Sequence, residues 1–204
     1  MKKGFTLAEV LITLGIIGVV AAMTLPVLTK KYKRHVTGAR LKAAYSILSQ
    51  ALTMSEVKNG QAEYWDVPSN VNEFKDYMMK YFAPYIRHIE TGTKSGYFPI
   101  DNGIAPYLKL NNGTILYFHK GGGYDLIIDV NGIDPPNKSG YDIFYFLLNT
   151  LNSPSYRKGF HPIRLPKVEN RNSLFTLCKS EPNYCAALIE YDGWVVKDDY
   201  PYNL

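Results

Sequence analysis

Glu9 is the residue with the strongest demand for a partner. It is the one charged side chain in the run from Phe5 to Leu28. About 20 apolar residues suffice to cross a bilayer as a helix, and only a helix satisfies the backbone there. An ionised carboxylate in that setting costs on the order of 2.5–3.5 kcal/mol on insertion scales, unless it lies close enough to the interface to reach headgroup water. A second remedy is chemical. Two lysines and Gly4 precede the run, whereas an ordinary secretory signal places its small-residue cut after a shorter apolar region. A cut between Gly4 and Phe5 removes the basic leader, keeps the membrane helix and frees an α-amino group on Phe5, about one turn from Glu9. The two charges attract strongly in a low dielectric. Within one helix the pair closes locally; between two helices staggered by about a turn it fixes their register.

Three other groups of residues carry potential chemistry. Asp129, Asn131, Asp134 and Asp142 lie on a loop shaped by Gly132, Pro135, Pro136 and Gly140. Oxygen donors at this density suit Ca²⁺, which takes six to eight of them, although no glutamate stands at the twelfth position of an EF-hand. Turn chemistry, with side chains that cap backbone amides, accounts for the same residues without a metal and is the simpler reading. Cys178 and Cys185 are the two cysteines; they pair in an oxidising compartment or remain thiols, and C-x₆-C without clustered histidine is a poor zinc site. The histidines, at 35, 88, 119 and 161, are scattered. No nucleophile elbow occurs, and Gly121–Gly123 is followed by no phosphate-binding Lys-Ser/Thr, so it reads as a turn. Asp198 and Asp199, adjacent in sequence, read as surface charge. An enzyme would need a catalytic cluster that these residues do not supply.

The elements that position these groups follow from periodicity. Beyond Pro26 the apolar positions Leu41, Tyr45, Leu48 and Leu52 recur at helical spacing, so the membrane helix is expected to continue to Asn59-Gly60, where glycine provides a stop. A helix of that length is roughly 80 Å long, with Pro26 and Gly38 as its weak points. Residues 61–70 read as loop. Phe74, Tyr77, Met78, Tyr81 and Phe82 mark a second helix over 71–83, capped by Ser69 or Asn70 and ended by Pro84; this stripe is core. Strands are predicted over Ala105–Leu110 and Thr114–His119, joined at Asn111-Asn112-Gly113, then over Tyr124–Val130 and Phe144–Leu148. Residues 149–173, with Pro154, Gly159, Pro162 and Pro166, read as exposed loop. A short helix opens near Pro182, with Ser180 able to cap it and Cys185, Leu188 and Ile189 on one face; Asp192-Gly193 ends it.

The segment Lys3-Gly4-Phe5-Thr6-Leu7-Ala8-Glu9-Val10-Leu11-Ile12 resembles the cleavage motif of type IV pilins and of the pseudopilins of type II secretion. The resemblance is continuous over about 25 residues. It implies an α+β, type IV pilin-like fold: a long N-terminal helix, transmembrane in its first half, packed on an antiparallel sheet. It implies that a prepilin peptidase/N-methyltransferase cuts after Gly4 and methylates Phe5, and that Glu9 pairs with the amino terminus of a sister subunit. The division that follows is a leader at 1–4, a transmembrane half at 5–28, a soluble half at 29–60 and a head at 61–204. The resemblance places the protein in a bacterial inner membrane as a single pass, with its N terminus cytoplasmic and its head extracytoplasmic, in contact with membrane lipid and an assembly platform. Such a compartment favours a Cys178–Cys185 disulfide, and pilin-like heads often close their C-terminal region this way. Major pseudopilins bind calcium in a head loop, which makes Ca²⁺ the candidate ligand of the 129–142 segment.

The formal charge of +5, less Lys2 and Lys3 of the leader, leaves +3. Lys30, Lys31, Lys33 and Arg34 cluster just beyond the apolar run and suit lipid headgroups rather than nucleic acid. Bases flank both ends of the run, so charge bias alone does not orient it. Gly15, Gly18, Ala21 and Ala22 permit close helix approach. Two functions are consistent with these features: a structural filament subunit, or a minor tip subunit whose head binds exoprotein, a surface or DNA.

Overall fold

The computed structural model describes residues 4, 6–66, 68–94, 104–120, 124–149, 159–165, 168 and 170–204. The leader residues 1–3, Phe5, the 121–123 turn, and Pro154 and Pro166 of the expected loop lie outside the described residues.

One helix, α1, runs unbroken from Leu7 to Asn59, through Pro26 and Gly38. Its two halves have opposite environments. The stretch from Leu7 to Leu28 is exposed along nearly its whole length. The second half buries Leu41, Ala44, Leu48, Ala51, Leu52 and Ser55, a helical stripe rotated slightly from the one predicted. Ala44 takes the fully buried place, and Tyr45 sits at the edge, 4.9 Å from the Trp194 ring and 5.6 Å from Phe160. Gly60 ends the helix at φ 81°, ψ 173°, a positive-φ but extended conformation rather than the left-handed cap. Its carbonyl accepts from Trp65 Nε1 at 2.8 Å.

Helix α2 spans Val71–Tyr81. Asn70 is its cap, accepting from the Asn72 and Glu73 amides, and its buried residues are the predicted Phe74, Tyr77, Met78 and Tyr81. Pro84 falls in a 3-10 turn, Ala83–Tyr85, after the helix has closed.

The sheet is a six-stranded antiparallel meander, β1 to β6 in sequence order: Glu90–Lys94, Ala105–Lys109, Ile115–Lys120, Tyr124–Asp129, Ile143–Asn149 and Gly159–Pro162. Four of these match the predicted strands. The other two are the sheet's edges. Strand β1, Glu-Thr-Gly-Thr-Lys, is largely exposed and shows no apolar alternation. Strand β6 corrects the expectation of loop over 149–173: Phe160 pairs with Leu148 and His161 with Leu147. An edge strand tolerates Pro162, whose missing N–H costs no ladder bond on an open side.

Register aligns Leu116, Ile128 and Phe144 in one cross-strand row, and Phe118, Leu126 and Phe146 in the next. These rows face α1 and α2 as the main core. A smaller cluster, including Ile115, Tyr117, Ile127, Ile143 and Tyr145, fills the opposite face. The molecule is therefore α+β and pilin-like, a long N-terminal helix laid against an antiparallel sheet.

The C-terminal region departs from the single helix predicted there. Helix α3 covers Arg171–Ser180 and helix α4 covers Cys185–Tyr191, with a 3-10 turn at Pro182–Tyr184 between them. Ser180 does not cap the later helix. It closes the earlier one, its hydroxyl donating to Leu177 O.

Candidate functional site

The N terminus of α1 is held by a reciprocal pair. The Thr6 N–H and hydroxyl both donate to Glu9 Oε2, at 2.8 and 2.7 Å, and the Glu9 N–H donates to Thr6 Oγ1 at 3.3 Å. This is a capping box, which satisfies amides that a helix start otherwise leaves open. Sequence reasoning missed Thr6, although Thr6-Leu-Ala-Glu9 has the S/T-x-x-E spacing that announces such a box. Both bonds fall on one carboxylate oxygen. Oε1 carries no hydrogen bond among the described residues, so the acid keeps a free oxygen while it caps its own helix.

Above the box the helix is bare. Leu11, Ile12, Ile16, Ile17, Val19 and Leu25 are all more than half exposed. A side-chain carbon built on Gly15 or Gly18 would meet nothing within 4 Å. The hydroxyls of Thr13, Thr24 and Thr29 turn back onto Val10, Val20 and Pro26 carbonyls, which removes their polarity from the outer surface. This is the one helix among the described residues long and apolar enough to cross a membrane.

The 129–142 loop is organised by its acids as turn formers. Asp129 Oδ1 accepts from the Asn131 and Gly132 amides at 3.3 and 2.9 Å. Asp142 accepts from Asn137 N and Lys138 N at 2.8 and 2.6 Å. Asn131 Nδ2 donates to the main-chain oxygens of Asp134 and Pro135, while Asp134 itself is exposed. Among the described residues no three His, Cys, Asp or Glu side chains converge, so Asp134 does not join a carboxylate cluster. The turns nonetheless leave oxygen atoms unserved: Asp129 Oδ2, Asn131 Oδ1 and Asn137 Oδ1 are buried and lack hydrogen-bond partners. Burial, and then the neighbouring Asp142 carboxylate, push the Asp129 carboxyl up to about 7. Two buried acids and two spare amide oxygens form an electron-rich loop.

Cys178 and Cys185 are joined as a disulfide, both fully buried, tying α3 to the first residue of α4. The tail is pinned around it. Tyr202 donates to Cys178 O and Tyr200 to Gly140 O. Arg171 holds Asp192 and Asp199, and Lys197 also reaches Asp192. Arg34 of α1 donates to the Asp198 carboxylate at 2.6 Å and to its main-chain oxygen at 3.1 Å. Asp198 and Asp199, read as surface charge, thus engage arginines on different elements. Gly38 is a packing position: a Cβ there would stand 2.4 Å from the Trp194 carbonyl oxygen. The histidines do not meet. His35 is exposed on α1, His88 lies against Ile86 O, and His119 and His161 are buried on separate strands.

An exposed apolar half-helix with an acid near its start, continued into a disulfide-closed α+β head, defines a membrane-anchored, pilin-like precursor. The model of a prokaryotic N-terminal methylation motif matches residues 1–25. Over residues 27–204 the chain matches, and belongs to, a family described as a family of unknown function (DUF6613). No curated protein and no solved structure matches it.

Proposed function

We propose that this protein is a structural subunit of a type II secretion pseudopilus or a type IV pilus. Prepilin peptidase removes residues 1–4 and methylates Phe5. Residues 5–28 then hold the subunit in the inner membrane, residues 29–60 carry the helix into the head, and the head stands outside the cytoplasm. Subunits assemble helix against helix, with Glu9 of one meeting the Phe5 amine of the next. The observation that carries this reading is the free Oε1 of Glu9 on an otherwise bare helix. The carboxylate caps its own chain through Oε2 and still has an oxygen for an incoming ammonium. The reading is of a building block, not an enzyme.

The test separates charge from capping. Glu9→Gln retains an amide oxygen for the box, which accepts Gln as well as Glu, but removes the charge. Filament or pseudopilus yield is expected to fall sharply in Glu9→Gln while the head stays folded and disulfide-bonded; full assembly by that variant refutes the charge pairing. Mass spectrometry of the mature protein is expected to find methylated Phe5 at its N terminus. A mature chain that begins at Met1 in cells with an active peptidase would sink the processing step.

A specific observation favours a second role for the head loop. The unserved oxygens of Asp129, Asn131 and Asn137, beside Asp142, suit a calcium ion, with Asn137 in place of the expected Asp134. The ion would neutralise both carboxylates and brace the loop against α1, where Arg40 donates to Val130 O at 2.9 Å. Calorimetric titration of the purified protein with CaCl₂ is expected to show one site that Asn137→Ala weakens; no heat of binding in the unsubstituted protein removes this role.

A further inference from the structure

A groove of about 940 Å³ lies between α1, over Lys31–Lys42, and the tail segment 193–199. We infer that it binds the phosphate-bearing headgroup of an anionic membrane lipid.

Placement is the first argument. The apolar run ends at Leu28, so Lys31 stands about 4.5 Å further along the helix axis and Arg34 about 9 Å. The headgroup layer on each side of a bilayer is about 5–7 Å deep. Helical side chains lean toward the N terminus, and the long stems of Lys and Arg extend that reach. These side chains therefore descend into the layer where lipid phosphates are concentrated.

Charge is the second. Five groove residues are basic, Lys31, Arg34, Lys42, Arg171 and Lys197, against the two acids Asp198 and Asp199. Arg34, Arg171 and Lys197 are engaged with aspartates. Lys31 and Lys42 form no ion pair among the described residues, and His35, one turn above Lys31, is exposed. A third observation is independent of both. Arg34 is only 7 % exposed, and its Nε finds no acceptor among the described residues although its other two nitrogens are bound to Asp198. The groove wall nearest the membrane therefore carries one guanidinium N–H that has no acceptor among the described residues. Single-stranded nucleic acid is a poorer fit, because it is held by stacking on aromatic faces. The aromatic residue in the groove, Trp194, already packs on Tyr45.

The inference rests on membrane anchoring and not on filament assembly, so its test uses no assembly machinery. The full chain in neutral detergent is titrated with phosphatidylglycerol, with phosphatidylcholine and with soluble glycerol phosphate, and bound ligand is counted by native mass spectrometry. One phosphatidylglycerol is expected to bind at least ten-fold more tightly than phosphatidylcholine. Each base near a membrane surface contributes a factor of about five, so Lys31→Gln is expected to weaken phosphatidylglycerol about five-fold. Lys33→Gln removes the same charge at nearly the same depth but off the groove, and is expected to change affinity less than two-fold. Equal losses in the two variants would mean diffuse surface charge and overturn the site. So would no preference between the two lipids. Glycerol phosphate binding as tightly as the lipid would make this a soluble-phosphate site and overturn the lipid assignment. Phosphatidylglycerol binding that survives Lys31→Gln undiminished would likewise overturn the site.

Discussion

In the absence of calcium, the head should lose stability as pH rises from 5 to 8, and Asp129 should be the cause. Its carboxyl titrates near 7 in the folded protein, against 3.8 ordinarily. Between those values the folded state holds a proton that the unfolded state has released. Stability is therefore fully present below about pH 4 and is lost as pH climbs through 7. The whole gap corresponds to about 4 kcal/mol, at ~1.4 kcal/mol per tenfold change in proton affinity, and about 2–3 kcal/mol of it falls between pH 5 and 8. Other acids act elsewhere on the pH axis. Burial raises Asp192, but hydrogen bonds from Arg171 and Lys197 outweigh it and hold the group low; a hydrogen bond from Arg171 holds Asp199 low. Those two lose stability only as pH falls below the ordinary carboxylate range. The assay is urea unfolding of the full chain in detergent with a chelator present, followed by tryptophan fluorescence. The wild-type midpoint is expected to fall by about 1 M across the range. Asp129→Asn, which keeps an oxygen for the Asn131 and Gly132 amides, should be nearly flat. Added calcium at pH 8 should restore the wild type and leave the variant unmoved. A wild-type midpoint that holds or rises from pH 5 to 8, or an Asp129→Asn protein with the same slope, refutes the reasoning.

Other expectations follow from single contacts. Gly38→Ala places a methyl 2.4 Å from a main-chain oxygen; the seam must move at a cost of about 1–3 kcal/mol, read as a head Tm lower by roughly 3–10 °C. Gly15→Ala, in open space, should leave head Tm unchanged. Replacing both Cys178 and Cys185 by alanine reopens a loop with a sequence separation of 7 and should cost about 2–3 kcal/mol in the same unfolding assay. Thr6→Ala removes the hydroxyl half of the capping box, about 1 kcal/mol at the helix start, and should reduce assembly less than Glu9→Gln does.

What was legible in the sequence was whatever one strand or helix dictates by its own spacing. The stripe on α1, the aromatic face of α2 and the four central strands are buried elements, and burial imposes a period. The edges escaped because they carry little such pattern. Strand β1 is polar on both faces and exists because Ala105–Lys109 offers it a partner. Strand β6 hides among prolines and is fixed by pairing with β5. Helix α3 carries readable marks, Asn170 as its cap and Leu174 and Cys178 four residues apart, but Pro182 is the stronger start signal and masks the helix before it. In the 129–142 loop, spacing in sequence suggests four equivalent oxygen ligands. The fold separates them, because Asp134 sits on the outside of a turn whose inner oxygens come from Asn131 and Asn137.

The two halves of α1 pose the same physical problem and solve it differently. From Leu41 onward each turn presents a small or branched apolar residue to a sheet that the same chain provides, so that half is complete within one molecule. From Leu7 to Leu28 nothing among the described residues covers the helix, and lipid or a sister helix is the complement its apolar surface suits. For the apolar side chains those two solvents are nearly equivalent, since hydrocarbon is as apolar as leucine. Packing alone therefore gives weak preference for assembly over dispersal in the bilayer. Glu9 breaks that equivalence. Hydrocarbon supplies no donor to its free oxygen, whereas on the proposed assembly a sister chain trimmed at Gly4 would, and only at one stagger. On that proposal the acid sets both the preference for assembly and its register, and the head takes no part in either.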